Sequence, residues 1–228
     1  MSLKSLIVNK LGFADPDNKN FKYLYNLSFD LHSFFDLNLE RKELLKLIQP
    51  FTHVNYLRLK SLWDIAERLA KQSVNGDFVE TGVWKGGTAG ILSYISRKYG
   101  YKNKTYFFDS FQGMPIPIEA DGEEAIKLTG KIRADDDHIK ELLFNKLKIN
   151  THQVKIVKGW FRDTLPKYKN VIRKIALLRL DADWYESTAS ALDNLYPLVI
   201  PGGYVIIDDY YYWDGCRKAV DEFIRKKG

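Results

Sequence analysis

Six acidic residues stand where short apolar runs end. Phe78-Val79 leads into Glu80, Thr105–Phe108 into Asp109, Ile175–Leu180 into Asp181-Ala182-Asp183, and Tyr204–Ile207 into Asp208-Asp209. If the last two runs are neighbouring strands, Asp181, Asp208 and Asp209 converge. Three carboxylates brought together without a cation raise one another's pKa. A bound dication removes that penalty, and Mg²⁺ favours carboxylate oxygens in a shell completed by water and substrate. The plainer reading is that Asp183 caps the helix that follows and that Asp208-Asp209 end a strand in solvent.

A second constellation follows the first run: Glu80-Thr81-Gly82-Val83-Trp84-Lys85-Gly86-Gly87-Thr88. Glycines there let backbone approach a ligand at the start of a helix. The turn is neither GxGxxG nor a P-loop, which argues against a nucleoside triphosphate. Asp109 lies roughly 20 residues further on, where an acid can accept both hydroxyls of a ribose. This pair alone suits NAD or SAM equally. An NAD enzyme, however, leaves the three aspartates without a role.

These residues need a scaffold that brings strand ends together. From Asp77 onward, the strand candidates, with Val154–Val157 as a fifth, alternate with helical stretches near Thr88–Tyr99, Asp137–Leu147, Phe161–Tyr168, Ser187–Tyr196 and Cys216–Lys226. Such alternation signals βαβ units and a Rossmann-like, doubly wound, mainly parallel α/β sheet. Ligands gather beyond its carboxyl edge, where strand order reverses. Upstream, Tyr56, Leu57, Leu59, Leu62, Trp63, Ile65, Ala66 and Leu69 recur at helical spacing. Residues 1–50 carry many aromatics, among them Phe13, Phe21, Tyr23, Tyr25, Phe29, Phe34 and Phe35. They read as accessory helices forming a lid or a dimer surface beside a main domain of residues 51–228. The stretch Ser110–Asp135 is weakly periodic and rich in glycine and proline, as functional loops are.

Composition narrows the classes. The net charge of +6 is dispersed among acidic residues with no basic arm, so nucleic acid is not an expected partner. One cysteine, Cys216, excludes an internal disulfide framework. His32, His53, His138 and His152 have no metal-ligand spacing, so any metal is held mainly by oxygen. No apolar run approaches the roughly 20 residues of a membrane span, and Met1–Lys10 lacks the apolar core of a signal peptide. A cytoplasmic protein without a membrane partner is the expectation.

The blocks Phe78–Gly87, Asp109-Ser110-Phe111-Gln112-Gly113-Met114-Pro115, Gly159-Trp160-Phe161 with Thr164-Leu165-Pro166, Leu180–Thr188 and Pro201–Tyr210 fall in one order. Together they resemble the macrocin O-methyltransferase family over well more than half of the chain. The resemblance implies a class I SAM-dependent methyltransferase that uses Mg²⁺ or another divalent cation to methylate a hydroxyl of a sugar or glycoside. It implies Asp181, Asp208 and Asp209 as metal ligands and Asp183 as general base, with Glu80, Gly82, Thr88, Asp109, Ser110 and Trp160 on the SAM side. Thr52–Arg58 follows the family pattern only loosely, leaving acceptor contacts and a homodimer open. The family continues past the position of Gly228 into two further strands, so a missing tail or a different sheet edge is expected. The competing readings are an NAD(P)-dependent oxidoreductase and a catalytically silent SAM- or metal-binding interaction module.

Overall fold

The computed structural model describes residues 19–227. Helix α1 spans Lys19–Phe34, α2 Leu39–Ile48 and α3 Tyr56–Lys71. Asparagines start the second and third. The Asn38 side chain accepts the Arg41 N–H and the Asn55 side chain the Arg58 N–H, each at 3.0 Å, satisfying an N–H that the first turn leaves open. The Asn55 cap thereby fixes Arg58 in the first turn of α3.

The sheet follows as β1 (Asp77–Thr81), β2 (Thr105–Asp109), β3 (Val154–Lys158), β4 (Ile175–Leu180) and β5 (Val199–Ile207). Their order is β3-β2-β1-β4-β5, and every pairing is parallel. The chain winds outward from β1 to β3, then crosses to β4 and β5, so order reverses between β1 and β4. Helices α4 (Gly87–Lys98), α5 (Glu123–Ile126), α6 (Asp136–Lys140), α7 (Phe161–Tyr168), α8 (Tyr185–Leu195) and α9 (Asp214–Lys227) complete the fold. The two-residue period of the strands divides the interior. Phe78, Phe107 and Leu177 pack with α2, α3 and α4, whereas Val79, Phe108, Leu178 and Leu180 pack with α7, α8 and α9. All six residues of β4 are buried, as a central parallel strand requires, although one of them is Arg179.

Some expectations need adjusting. Leu57, counted with the apolar face of α3, is 54% exposed. The helix expected over Asp137–Leu147 is α6 followed by a wider π turn at Glu141–Lys146. The described part of the aromatic N-terminus packs on the main domain, Phe29, Leu44, Leu45 and Ile48 sharing one core with α3 and α4. The outer face of α1 leaves Tyr23, Leu27, Leu31 and Phe34 exposed. Phe13 and the Phe21 side chain lie outside the described residues.

The turn between α1 and α2 is tied to α3 through a buried carboxylate. Asp36 accepts from Arg41 Nε (2.7 Å) and Nη2 (2.6 Å), from the Tyr56 hydroxyl (2.8 Å) and from the Asn38 N–H (3.0 Å). Burial alone would raise its pKa, but these donors outweigh burial and hold it down at about 2. Asp36→Ala leaves Arg41 short of its closest counterion and is expected to destabilise the chain by about 3 kcal/mol. Urea unfolding reads this out. Because the folded pKa is depressed, the stabilisation is present at neutral pH and fades as pH falls toward 2. The variant should therefore lose less stability than the unaltered chain on acidification.

Candidate active site

Strand alternation places Glu80, Arg179, Asp181 and Asp208 on one side of the sheet at its carboxyl edge, since Glu80 pairs with Arg179 and Arg179 with Ile206 in register. The strand ends lie very close together. Gly82 adopts φ +80°, and a Cβ there would stand 1.7 Å from the Asp181 carbonyl oxygen. Only glycine lets the exit of β1 lie against the exit of β4. Gly86, at φ +92°, likewise makes room for Ile139, 2.6 Å from where its Cβ would be. These turn glycines serve close approach of the chain to itself.

A cavity of about 340 Å³ opens over this edge, a size that suits a small-molecule ligand. Of the residues singled out in the sequence, Gly82, Thr88, Asp109, Ser110, Trp160, Asp181, Asp183, Asp208 and Asp209 all line it. Glu80 does not. It is fully buried behind the wall, where its Oε1 accepts the Thr88 hydroxyl at 2.6 Å and Arg179 Nη1 at 2.5 Å. Burial, opposed chiefly by Arg179, raises its pKa to about 7. Asp109 is also largely committed to the chain. Its Oδ2 accepts the Val83 and Trp84 N–H groups, both at 2.9 Å, and its Oδ1 the Phe111 N–H at 2.7 Å. It thus shapes the glycine turn as well as facing the cavity.

Asp181, Asp208 and Asp209 each bring a carboxylate oxygen within 4.8 Å of the other two. Asp208 and Asp209 do not end their strand in solvent, as the plainer reading had them, since both side chains are buried. Nor does Asp183 cap α8, whose N-cap position is Trp184. Asp183 sits at φ +55° with its N–H 3.4 Å from Asp209 Oδ2.

Two arginines share this acidic group, and sequence reading missed both roles. Arg179 Nη2 lies 2.9 Å from Asp181 Oδ2 and 2.7 Å from Asp208 Oδ2. Arg58 reaches over from α3, its Nε 3.0 Å from Asp208 Oδ1 and its Nη2 3.2 Å from the Asp208 carbonyl oxygen. One signal was available. A charged residue interrupting Ile-Ala-Leu-Leu-Arg-Leu, a run otherwise fit for a doubly buried strand, must have buried partners. Arg58 gave no local signal.

Charge decides what the site can hold. Against the burial penalty, Arg179 and Arg58 lower the pKa of Asp208. The neighbours have less help. Burial raises Asp181, despite Arg179. Burial, then Asp181 and Asp208, push Asp183 to about 8. Burial, then Asp183 and Asp181, raise Asp209 well above the carboxylate range. Two guanidiniums therefore do not neutralise the group. Its all-oxygen donors, partly exposed at Asp181, fit a hard dication.

The rest of the cavity is apolar and aromatic. The Ser110–Asp135 segment supplies Met114, Pro115, Leu128 and Ile132. It is anchored to the start of α8, where Trp184 Nε1–H donates to the Pro115 carbonyl at 3.0 Å and Asp121 Oδ1 accepts the Tyr185 N–H at 2.7 Å. Tyr212 and Trp213 form part of the wall, Trp213 edge-on to Trp184, while Tyr211 points outward at 80% exposure. From the chain preceding α3, His53 packs on Trp84 with ring centroids 4.1 Å apart. No described helix is long and apolar enough to cross a membrane.

Known proteins resemble this chain. Residues 47–228 match the family model described as macrocin-O-methyltransferase (TylF). The demethyldecarbamoylnovobiocin O-methyltransferase of Streptomyces niveus is 38% identical over 180 residues, covering 77% of this chain and 68% of the relative. The mycinamicin III 3''-O-methyltransferase of Micromonospora griseorubida is 33% identical over 189 residues, covering 78% and 71%. Among solved structures, the O-methyltransferase NovP superposes with a TM-score of 0.71 at 36% identity, covering 77% of this chain and 74% of its own. The calicheamicin methyltransferase CalS11, at 23% identity and a TM-score of 0.62 over 80% and 82% of the two chains, shares the fold. Wound in the order described, with its acidic group at the reversal of strand order, the chain belongs to the macrocin O-methyltransferase family and is an O-methyltransferase on the class I, SAM-dependent fold.

Proposed function

We propose that the protein transfers the methyl group of SAM to a hydroxyl of a sugar or glycoside, with Asp183 as general base and a divalent cation, Mg²⁺ by donor chemistry, at Asp181, Asp208 and Asp209. The observation that carries this is one cavity lined both by the glycine turn with Asp109 and by the three-carboxylate group with Asp183. Relatives named for methylation of novobiocin, rhamnosyl-tetracenomycin and mycinamicin intermediates support a glycosidic acceptor.

SAM supplies an electrophilic methyl group on a sulfonium, so the chain has chiefly to align two reactants and exclude water. In this reading Gly82, Thr88, Asp109, Ser110 and Trp160, all lining the cavity, hold the cofactor. Glu80 acts from behind, through Thr88. Asp109 retains some acceptor capacity for a ribose hydroxyl beyond its three backbone N–H bonds. Asp181, Asp208 and Asp209 would hold the dication, which would favour the deprotonated form of an acceptor hydroxyl. Asp183 receives the proton. Tyr212 and Trp213 offer aromatic faces to a sugar ring. The segment 1–50 serves as lid or dimer surface, and the chain joining it to α3 gives the cavity Phe51–Val54.

The test is a panel of deoxysugar glycosides incubated with protein, SAM and Mg²⁺ and read by mass spectrometry. The expected result is a gain of one CH₂ on the glycone and stoichiometric S-adenosylhomocysteine. A gain on an aglycone carbon or nitrogen, or thermal stabilisation by NAD but not by S-adenosylhomocysteine, would overturn the reading.

A further inference from the structure

Arg179 is a guanidinium at 2% exposure near the carboxyl end of an otherwise apolar, wholly buried strand. Taking such a charge out of water is costly unless its geometry is fully used. Here three contacts offset that cost: Nη1 donates to Glu80 Oε1 at 2.5 Å, Nη2 pairs with Asp181 Oδ2 at 2.9 Å, and Nη2 donates to Asp208 Oδ2 at 2.7 Å. The first contact reaches the cofactor side, because the same Glu80 oxygen accepts the Thr88 hydroxyl at the start of α4. The other two reach two of the three carboxylates read as metal ligands. The fork is planar and rigid, so it fixes the spacing and rotation of the groups it binds.

We propose that Arg179 is the positioning residue of the metal centre, one guanidinium that sets the rotamers of Asp181 and Asp208 and ties them, through Glu80, to the glycine turn. The inference rests on the metal reading above. It differs from two simpler roles. If Arg179 acted only as a nearby positive charge, it would repel a dication, and its removal would tighten metal binding. If it only filled space and supported the fold, a folded variant would bind metal as before.

The experiment compares the unaltered chain with Arg179→Lys and Arg179→Met, using Mn²⁺ as probe. Binding is followed by loss of the free-ion electron paramagnetic resonance signal, S-adenosylhomocysteine binding by calorimetry, and folding by circular dichroism. Lysine keeps the charge but cannot span three carboxylates. Losses from removing a partner that orients metal ligands are about 10- to 100-fold in affinity. Arg179→Lys is expected to weaken Mn²⁺ by about that factor. Its Mn²⁺ signal should also broaden, as ligand geometry becomes heterogeneous. Should Arg179→Met fail to fold, Arg179→Lys and Glu80→Gln carry the test. Glu80→Gln loosens one arm of the clamp and is expected to weaken Mn²⁺ by a smaller factor. Tighter or unchanged Mn²⁺ binding in folded Arg179→Lys overturns the inference while leaving the metal reading intact. If the unaltered chain binds no Mn²⁺, it is the metal reading that fails.

Discussion

Asp183→Asn is expected to bind S-adenosylhomocysteine and Mn²⁺ as the unaltered chain does and to lose methyl transfer by about 10²- to 10⁴-fold, the usual range for a general base. The substitution is unusually clean at this position. Asp183 holds a left-handed backbone, φ +55°, which most side chains resist and asparagine tolerates. The loop should therefore keep its shape, including the Asp183 N–H directed at Asp209. What is lost is the ability to accept a proton. Burial first, then Asp181 and Asp208, push that carboxyl up to about 8 before any cation is bound. A base must be ionised to act, so single-turnover rates at limiting metal should climb as pH rises toward 8. A dication at the neighbouring carboxylates favours the ionised form and should move the climb to lower pH. Asp183→Asn should flatten the profile. Near-normal turnover in that variant removes Asp183 from the base role, and a climb that ignores metal concentration would assign it to another group.

What was legible in the sequence is what period and punctuation encode. The five apolar runs became the five strands, and the acids at their ends, Glu80 excepted, became the rim of one cavity, because a parallel α/β sheet sends every strand end to the same edge. Boundaries blurred where pairing overrode local pattern. Strand β5 was expected from Tyr204 but begins at Val199, since Val199 pairs with Ile175 and an irregularity before Leu177 absorbs Pro201-Gly202-Gly203. The Ser110–Asp135 segment read as a bare loop because its own elements are short, α5 spanning only Glu123–Ile126, and because its anchors to α8, through Trp184 and the Tyr185 N–H, come from outside it. The role of Arg58 was hidden for the same reason. Arg58 finds Asp208 150 residues away, a contact that only the finished fold creates. The presence of both arginines alters the electrostatic argument. The aspartates are not left to a dication alone, since two fixed cations hold Asp208 ionised, and the unmet charge is concentrated on Asp181, Asp183 and Asp209.

That division makes Asp209 the most informative ligand to remove. Asp208→Ala would strip partners from Arg179 and Arg58, so its effects on folding and on metal could not be separated. Asp209 has no arginine of its own and is raised by burial and by Asp183 and Asp181. A carboxyl whose folded pKa is raised costs the metal-free protein stability as pH climbs from the unfolded value toward the folded one. Asp209→Asn removes that cost and keeps an oxygen for the Asp183 N–H. In EDTA at neutral pH, the variant should melt at or above the temperature of the unaltered chain. With metal the order reverses. The variant should bind Mn²⁺ at least about tenfold more weakly, lose most of the stabilisation that Mg²⁺ gives the unaltered chain, and turn over slowly even at high Mg²⁺. The unaltered chain should stop in EDTA and recover on adding Mg²⁺. A group that destabilises the protein without metal and stabilises it with metal is placed for binding, not folding. An EDTA-insensitive rate, or an Asp209→Asn variant that is less stable in EDTA yet unchanged in Mn²⁺ affinity, would make Asp209 part of the scaffold and remove the metal from the chemistry.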